Sequence, residues 1–158
     1  RNITLSTCGI VPKINELADM HFQITLALSL HASNNETRKS LMPIAYKYSI
    51  DEVINACKNY FAKTGRRITF EYILLSGIND LEENALELVK LIKGINAYVN
   101  LIPYNETDNL GFKRSSAMQI MKFYDILKKN RVNVTIRREF GGNISAACGQ
   151  LRSKEEMQ

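Results

Sequence analysis

Small polar side chains follow three strand-like segments of the sequence. Ser6 comes at the end of the first segment, Ser29 and His31 flank Leu30 after the second, and Asn105 follows the fourth. Hydroxyl, imidazole and amide groups hydrogen-bond ribose hydroxyls, carboxylates and adenine edges without adding charge. This set therefore favours a polar, nucleoside-like ligand over a metal ion.

Each of these residues also has a purely structural interpretation. Ser6 and Ser29 could cap turns, and His31 could hold a loop through its ring nitrogens. Asn105, which precedes a long polar stretch, could form an Asx-turn. The residues alone leave both interpretations open.

Three cysteines lie far apart, so the spacing predicts neither a disulfide scaffold nor a complete metal site. Cys148 stands between Ala147 and Gly149, where small neighbours leave the thiol open to reaction. Cys57 falls on the apolar face of a predicted helix, which is typical of an inert buried thiol. Cys8 follows the first strand without an adjacent base, and we expect it to be a bystander.

The charged residues suggest two further features. Glu71 lies within the third strand-like segment and is expected to point into a barrel interior or to pair with Arg67 or Arg138. Twenty-one Lys and Arg against sixteen Asp and Glu give a net charge of +5, which suits an anionic partner such as RNA. Basic pairs of this kind are also common on ordinary solvated surfaces.

The elements that must position these residues alternate between strand and helix. Apolar runs predict five strands, and helical periodicity between them predicts four main crossovers. Three sequence pairs predict capping boxes: Ser33 with Glu36, Ser49 with Glu52, and Asp80 with Glu83. Alternation of this kind predicts an α/β fold with a parallel sheet, and such sheets bind ligands beyond the carboxyl ends of their strands.

Length and composition set the remaining bounds. The chain has 158 residues, of which 45% are apolar and 23% charged, as in one globular domain. A full eight-fold barrel needs roughly 250 residues, so the chain is expected to supply part of a barrel. No apolar run approaches the roughly 20 residues of a membrane span, so we expect a soluble, cytoplasmic protein with no membrane partner.

Five motifs occur together and in one order. They are Ser29-Leu30-His31-Ala32, Leu41-Met42-Pro43-Ile44, Phe70-Glu71-Tyr72, Val99-Asn100-Leu101-Ile102-Pro103 and Ala146-Ala147-Cys148-Gly149-Gln150-Leu151. Jointly they resemble the bacterial radical S-adenosylmethionine methyltransferases that methylate carbon 2 of an adenine in 23S ribosomal RNA and in certain transfer RNAs. The resemblance covers residues 1–152 and implies the C-terminal part of a partial (β/α)6 barrel, followed by a charged tail at 153–158.

The resemblance implies roles for particular residues. Cys148 matches the family's methyl-carrying cysteine, and Ser6, Ser29, Leu30, His31 and Asn105 match contacts to S-adenosylmethionine. The implied cofactors are S-adenosylmethionine and a [4Fe-4S] cluster, whose Cys-x3-Cys-x2-Cys ligands are not in this sequence. The implied partners are 23S rRNA, tRNA, an electron donor protein and an upstream segment of the same polypeptide that carries the cluster and RNA-binding regions.

The implied reaction uses two molecules of S-adenosylmethionine. The Cys148 thiolate takes a methyl group from the first, and the second supplies the radical that activates that methyl group for transfer to carbon 2. A chain without the cluster motif is expected to be inactive alone. Gly142-Asn143-Ile144-Ser145 departs from the acidic residues common before Ala-Ala-Cys in the family, which leaves detail of the cysteine loop open.

Two alternatives remain at this stage. One is the related family that methylates carbon 8 of the same adenine. The other is a basic α/β domain that binds a nucleotide or RNA and performs no chemistry. A binding module would tolerate alanine at Cys148, whereas the enzyme needs the sulfur.

Overall fold

A computed structural model of the chain describes residues 3–137 and 151–152. It contains five strands: β1 (Ile3–Thr7), β2 (Ile24–Ser29), β3 (Ile68–Leu74), β4 (Ala97–Pro103) and β5 (Asn133–Ile136). Five helices lie between them: α1 (Val11–Asp19), α2 (Asn35–Leu41), α3 (Ile50–Thr64), α4 (Glu82–Leu91) and α5 (Ala117–Lys129). Short 3-10 helices occupy Pro43–Tyr46 and Glu106–Asp108.

The five strands form one parallel sheet in the order β1-β2-β3-β4-β5. Consecutive strands are therefore neighbours, and every connection is a helical crossover. This confirms the predicted α/β fold with alternating βα units. Sequential order with parallel pairing is the arrangement found within (β/α) barrels.

The main core lies between one face of the sheet and the helices. Alternate residues of β2, β3 and β4 supply it, including Leu28, Phe70 and Val99, which are fully buried. The intervening residues point to the opposite face of the sheet. A second apolar cluster, called here the carboxyl-edge cluster, comprises Leu41, Met42, Ile73, Leu75, Ile102, Tyr104, Phe112 and Leu151.

Local sequence explains most of the helix boundaries. Ser49 accepts a hydrogen bond from the backbone N–H of Glu52, and the Glu52 carboxylate accepts one from the N–H of Ser49, so the predicted capping box is present. Gly65 ends α3 in a left-handed conformation at φ +67°, as glycine does at helix ends.

The other two predicted capping boxes were wrong by one residue. Asn34, not Ser33, caps α2 by accepting from the Thr37 N–H at 2.8 Å, because the Ser33 hydroxyl instead donates to Glu87 of α4. Helix α4 begins at Glu82 with Leu81 as its cap residue. The Asp80 carboxylate instead accepts hydrogen bonds from the nearby Gly77 N–H and from the distant Ser115 hydroxyl.

No helix among the described residues is long and apolar enough to cross a membrane.

Candidate cofactor-binding site

The structure brings the candidate polar residues to one edge of the sheet. Strands β1, β2 and β4 are parallel members of one sheet, so Ser6, Ser29 and Asn105 all lie at or beyond carboxyl ends. In register, Ser6 is paired with Ala27, which lies two residues before Ser29. Because side chains paired in register share a face of the sheet, Ser6 and Ser29 are on the face opposite the helix-covered core. Ser6 is exposed and Ser29 is buried.

His31 is fully buried and has a left-handed backbone conformation at φ +58°. Its Nδ1 accepts a hydrogen bond from the Ile73 N–H at 3.0 Å, and its carbonyl accepts one from the Asn79 side chain at 2.8 Å. The ring therefore does hold the end of β2 against the end of β3, as its structural interpretation predicts. The other ring nitrogen, Nε2, is buried and has no partner among the described residues.

The protonation state of His31 follows from these contacts. Burial, assisted by the nearby Arg38 guanidinium, lowers the pKa of His31 to about 3. The imidazole is thus neutral, and because Nδ1 accepts a hydrogen bond, the proton is on Nε2. A buried N–H donor without an acceptor costs roughly 1–3 kcal/mol, so Nε2, like the unpartnered terminal nitrogen of Arg38, is a donor that a bound ligand could satisfy.

Leu30 contributes to the site through its backbone. Its side chain is buried in the main core. Its N–H donates to the Glu71 carbonyl at 3.0 Å, and its own carbonyl accepts from Arg38 Nε at 3.1 Å. These bonds fix the spacing between Ser29 and His31.

Asn105 forms the predicted Asx-turn. Its side-chain oxygen accepts from the Thr107 N–H at 3.1 Å and from the Thr107 hydroxyl at 2.8 Å. Since both lone pairs of that oxygen are used, the amide nitrogen is the group of Asn105 that remains for a ligand.

Arg38 joins the carboxyl ends of β1 and β2, and no sequence pattern singled it out. Its side chain is fully buried, and its guanidinium donates to three backbone carbonyls: Leu30 at 3.1 Å, Ser29 at 3.1 Å and Cys8 at 2.7 Å. Burial lowers the pKa of Arg38 to about 10, so the group stays charged at neutral pH. A basic residue in a polar helix is ordinarily solvated, and only the fold reveals this position.

Gly9 permits the close approach of the β1 end to Arg38. Its φ is +106°, and a Cβ atom built there would lie 3.3 Å from the guanidinium and 3.2 Å from a methyl group of Val53. Both the conformation and the space therefore favour glycine.

Glu71 and Asn100 form a polar pair beside the site. Asn100 Nδ2 donates to the Glu71 carboxylate at 2.9 Å, and in register Glu71 is paired with both Ser29 and Asn100. Burial raises the pKa of Glu71, while Asn100 and Arg137 partly offset that shift. The expectation that Glu71 points to the face away from the helices is confirmed, whereas pairing with Arg67 is wrong because Arg67 stacks on Tyr98 at 4.6 Å. Arg138 lies outside the described residues.

The cysteines divide as follows. Cys57 is fully buried, and burial raises the pKa of its thiol to about 12, which confirms an inert core cysteine. Cys8 is half-buried and contacts Arg38 through its backbone carbonyl. Cys148 lies outside the described residues, so its predicted role stays a prediction.

Within residues 3–137 and 151–152, no group of three or more His, Cys, Asp or Glu side chains could hold a metal ion.

A cleft lies at the opposite edge of the sheet. It has a volume of about 550 Å³ and is lined by the turns that lead into β4 and β5, including Gly94 and Asn130. Ligands of parallel α/β sheets bind at the carboxyl edge instead. We therefore place the candidate site at the carboxyl edge around His31, where two unpartnered buried donors, His31 Nε2 and a terminal nitrogen of Arg38, occur together.

The fold is that of the radical S-adenosylmethionine class. A radical SAM methyltransferase from Sphaerobacter thermophilus superposes with a TM-score of 0.87 at 49% identity, covering 96% of this chain and 45% of that one. A domain of a pyruvate-formate lyase-activating enzyme from Bacteroides vulgatus, at 13% identity and a TM-score of 0.64, shows the same fold alone. No family model matches the chain.

Curated relatives define the family more closely. A probable dual-specificity RNA methyltransferase RlmN from Clostridium novyi is 57% identical over 152 residues, and one from Clostridium botulinum (strain Alaska E43) is 60% identical over 152 residues. Each alignment covers 96% of this chain and 44% of the relative. The chain is thus homologous to the RlmN dual-specificity RNA methyltransferases and spans under half of the length of these relatives.

Proposed function

We propose that the chain is the part of a radical S-adenosylmethionine RNA methyltransferase that binds S-adenosylmethionine and carries the methyl-accepting cysteine. The whole enzyme would methylate carbon 2 of adenine in 23S rRNA and in tRNA. Identity of 57–60% to RlmN relatives over 152 residues carries this proposal. The ordered motifs from Ser29-Leu30-His31 to Ala146-Ala147-Cys148 support it.

The described donors fit the cofactor. S-adenosylmethionine presents ribose hydroxyls, an adenine edge and a carboxylate, and when bound it supplies the transferable methyl group. The Ser29 hydroxyl, the exposed Ser6 hydroxyl, the Asn105 amide nitrogen and the unpartnered His31 Nε2–H would hold these groups. The described residues offer no ligand set for a [4Fe-4S] cluster, which the rest of the enzyme would bind.

The protein groups have separate tasks in this proposal. Neutral His31 donates its Nε2 proton in a hydrogen bond and does not transfer it, because a pKa near 3 makes the imidazole a poor base. Arg38 holds the β1 and β2 ends so that Ser6 and Ser29 keep their places. The Cys148 thiolate would form the new S–CH3 bond as the sulfonium S–CH3 bond of S-adenosylmethionine breaks, and S-adenosylhomocysteine would leave.

The test uses a chimera, because the chain spans 44% of its relatives. This chain replaces the matching segment of the C. novyi relative, and the purified, cluster-loaded chimera is incubated with S-adenosylmethionine and rRNA or tRNA. Mass spectrometry of nucleosides should detect 2-methyladenosine, and peptide mass spectrometry should detect one added methylene unit on Cys148.

The Cys148→Ala chimera should produce neither signal. An active chimera whose Cys148→Ala variant still methylates RNA would refute the role of that sulfur. A cluster-loaded chimera that binds RNA and forms no methylated adenine would favour the binding-module alternative, and 8-methyladenosine would favour the related carbon-8 family.

A further inference from the structure

Tyr46 presents an exposed aromatic ring flanked by two cations. The residue is 65% exposed at the end of the 3-10 helix that follows α2. Lys39 Nζ lies 5.8 Å from the ring centroid, and Arg152 Cζ lies 5.2 Å from it. Next to it, Lys47 Nζ lies 5.6 Å from the ring of Tyr48. We call Tyr46, Lys39, Lys47 and Arg152 the Tyr46 platform.

Among residues 3–137 and 151–152, no acid forms an ion pair with a cation of the platform. The salt bridges of the described residues join Lys13 to Glu16 and Lys63 to Asp19, both away from Tyr46. Glu36 is three residues before Lys39 but is not within 4.0 Å of its ammonium, and Glu52 is engaged in the cap of α3. The platform therefore keeps a net positive charge next to an exposed ring.

Two contacts fix the platform at the carboxyl edge of the sheet. The Arg152 N–H donates to the Leu41 carbonyl at 2.9 Å, which ties Arg152 to the end of α2. Leu151 packs in the carboxyl-edge cluster with Ile73 of β3 and Ile102 of β4. Arg152 also follows Cys148 by four residues in the chain. The platform and the candidate cofactor site are thus on the same side of the molecule.

We infer that the Tyr46 platform binds an unpaired nucleotide of the RNA substrate, an inference that rests on the proposed function. One base stacks on the Tyr46 ring, and Lys39, Lys47 and Arg152 contact the adjacent phosphates. Both cations over the ring have long side chains that form no ion pair with another described residue, so a base can displace one of them toward a phosphate. Stacking on an aromatic ring is sequence-tolerant, which suits an enzyme that accepts more than one RNA.

The experiment measures RNA binding by the 158-residue chain. The probe is a fluorescein-labelled RNA hairpin with an unpaired purine-rich loop, and binding is followed by fluorescence anisotropy over a range of salt concentrations. Tyr46→Ala should weaken binding about 5- to 30-fold, the loss of 1–2 kcal/mol of stacking, while Tyr46→Phe should stay within about 2-fold of wild type. The double variant Lys39→Ala/Arg152→Ala should weaken binding and flatten the slope of log K against log salt by about 1.4.

The matched control removes two positive charges elsewhere. Lys122 and Lys129 are exposed on α5, and Lys122→Ala/Lys129→Ala should change the affinity less than the platform variant does. As a second readout, the indole fluorescence of Tyr46→Trp should be quenched by the hairpin and less by a fully paired duplex of similar length. Circular dichroism should show that Tyr46→Ala remains folded, because the ring is mostly exposed.

Several results would overturn the inference. The first is a folded wild-type chain that does not bind the hairpin. The second is a Tyr46→Ala variant that binds the hairpin as tightly as wild type. The third is an equal loss of affinity in the platform and control double variants. The chimera separates this failure from failure of the proposed function. RNA methylation that persists unchanged in the Tyr46→Ala chimera refutes the platform alone, whereas absence of methylation with an intact platform refutes the proposed function.

Discussion

The two ring nitrogens of His31 differ in their contacts. Nδ1 accepts from the Ile73 N–H and joins two strand ends, while Nε2 carries a proton without a partner among the described residues. The sequence-based alternatives, a satisfied histidine or a ligand contact, are therefore compatible. Each applies to a different nitrogen.

The buried, neutral state of His31 predicts a pH-dependent stability. In the unfolded chain its pKa is near 6.5, and in the folded chain it is about 3, so the unfolded state binds the extra proton between these values. The contribution of neutral His31 to the free energy of unfolding is fully present above pH 6.5. It is lost as the pH falls toward 3, by up to about 1.4 kcal/mol per pH unit. Urea unfolding at pH 7.0 and 5.0 measures the loss.

The two histidines of the chain provide a matched comparison. His31→Gln should abolish most of the His31 contribution to the pH dependence and should also weaken S-adenosylmethionine binding. His21 is exposed, so His21→Gln should change neither property. A His31→Gln chain with the same loss of stability between pH 7.0 and 5.0 as wild type would contradict the assignment.

At the scale of elements, helix α2 organises the site through Arg38. The charged side chain is buried, and its Nε and one terminal nitrogen donate to carbonyls at the ends of β1 and β2, while the other terminal nitrogen has no partner among the described residues. Burial of a lone charge is costly, and the bonds to carbonyls offset that cost. The hydrogen bonds of Arg38 therefore fix the position of α2 on the sheet, beside the candidate site.

Arg38→Met should lower the free energy of unfolding by about 2–4 kcal/mol, because buried carbonyls lose charged donors worth about 1.5–3 kcal/mol each while the cost of burying the charge is relieved. Arg38→Lys should lie between Met and wild type, since an ammonium cannot match the planar arrangement of the guanidinium donors. Urea denaturation provides these values, and calorimetry with S-adenosylmethionine should show weaker binding by both variants.

Arg66 is a suitable control for Arg38. It is partly buried at the amino-terminal edge and bonds the Gln23 carbonyl at 3.1 Å and the Gln23 side chain at 3.3 Å. Arg66→Met should cost less than about 1 kcal/mol, as surface substitutions commonly do, and should leave cofactor binding unchanged. Equal losses of stability and cofactor binding in the Arg38 and Arg66 variants would argue against a special role for Arg38.

At the scale of the whole molecule, one flank of the sheet is apolar and exposed. Large side chains of β1 and of the α1 region show this: Ile3 is 60% exposed, Leu5 45%, Met20 47% and Phe22 55%. Strand β1 has one neighbour, β2, so its other edge presents unpaired backbone groups. The described structure therefore has an exposed apolar flank along β1.

The exposed flank predicts that the isolated chain self-associates. Sedimentation velocity should show species larger than a monomer as the concentration rises into the micromolar range. Leu5→Lys/Phe22→Lys should shift the distribution toward monomer. Met118→Lys, at a side chain that is 71% exposed on α5, should not. A wild-type chain that remains monomeric at all concentrations would disprove the prediction.

The sequence by itself determined the alternation of strands and helices, the parallel sheet and the order of the site motifs. Apolar periodicity and caps such as Ser49 with Glu52 are local signals, and local hydrogen bonds decide them. The positions of Ser6, Ser29 and Asn105 at one sheet edge follow from strand direction alone.

Tertiary structure decided what the sequence left open. Asp80 and Ser33 have the residue types of helix caps, but partners distant in the chain bind their side chains instead. The burial of Arg38 depends on carbonyls up to 30 residues away. The different contacts of the two His31 nitrogens depend on the Ile73 N–H, 42 residues away. Contacts between residues so far apart produce no periodic pattern in the sequence, because they form only when packing brings distant polar groups together in the buried interior.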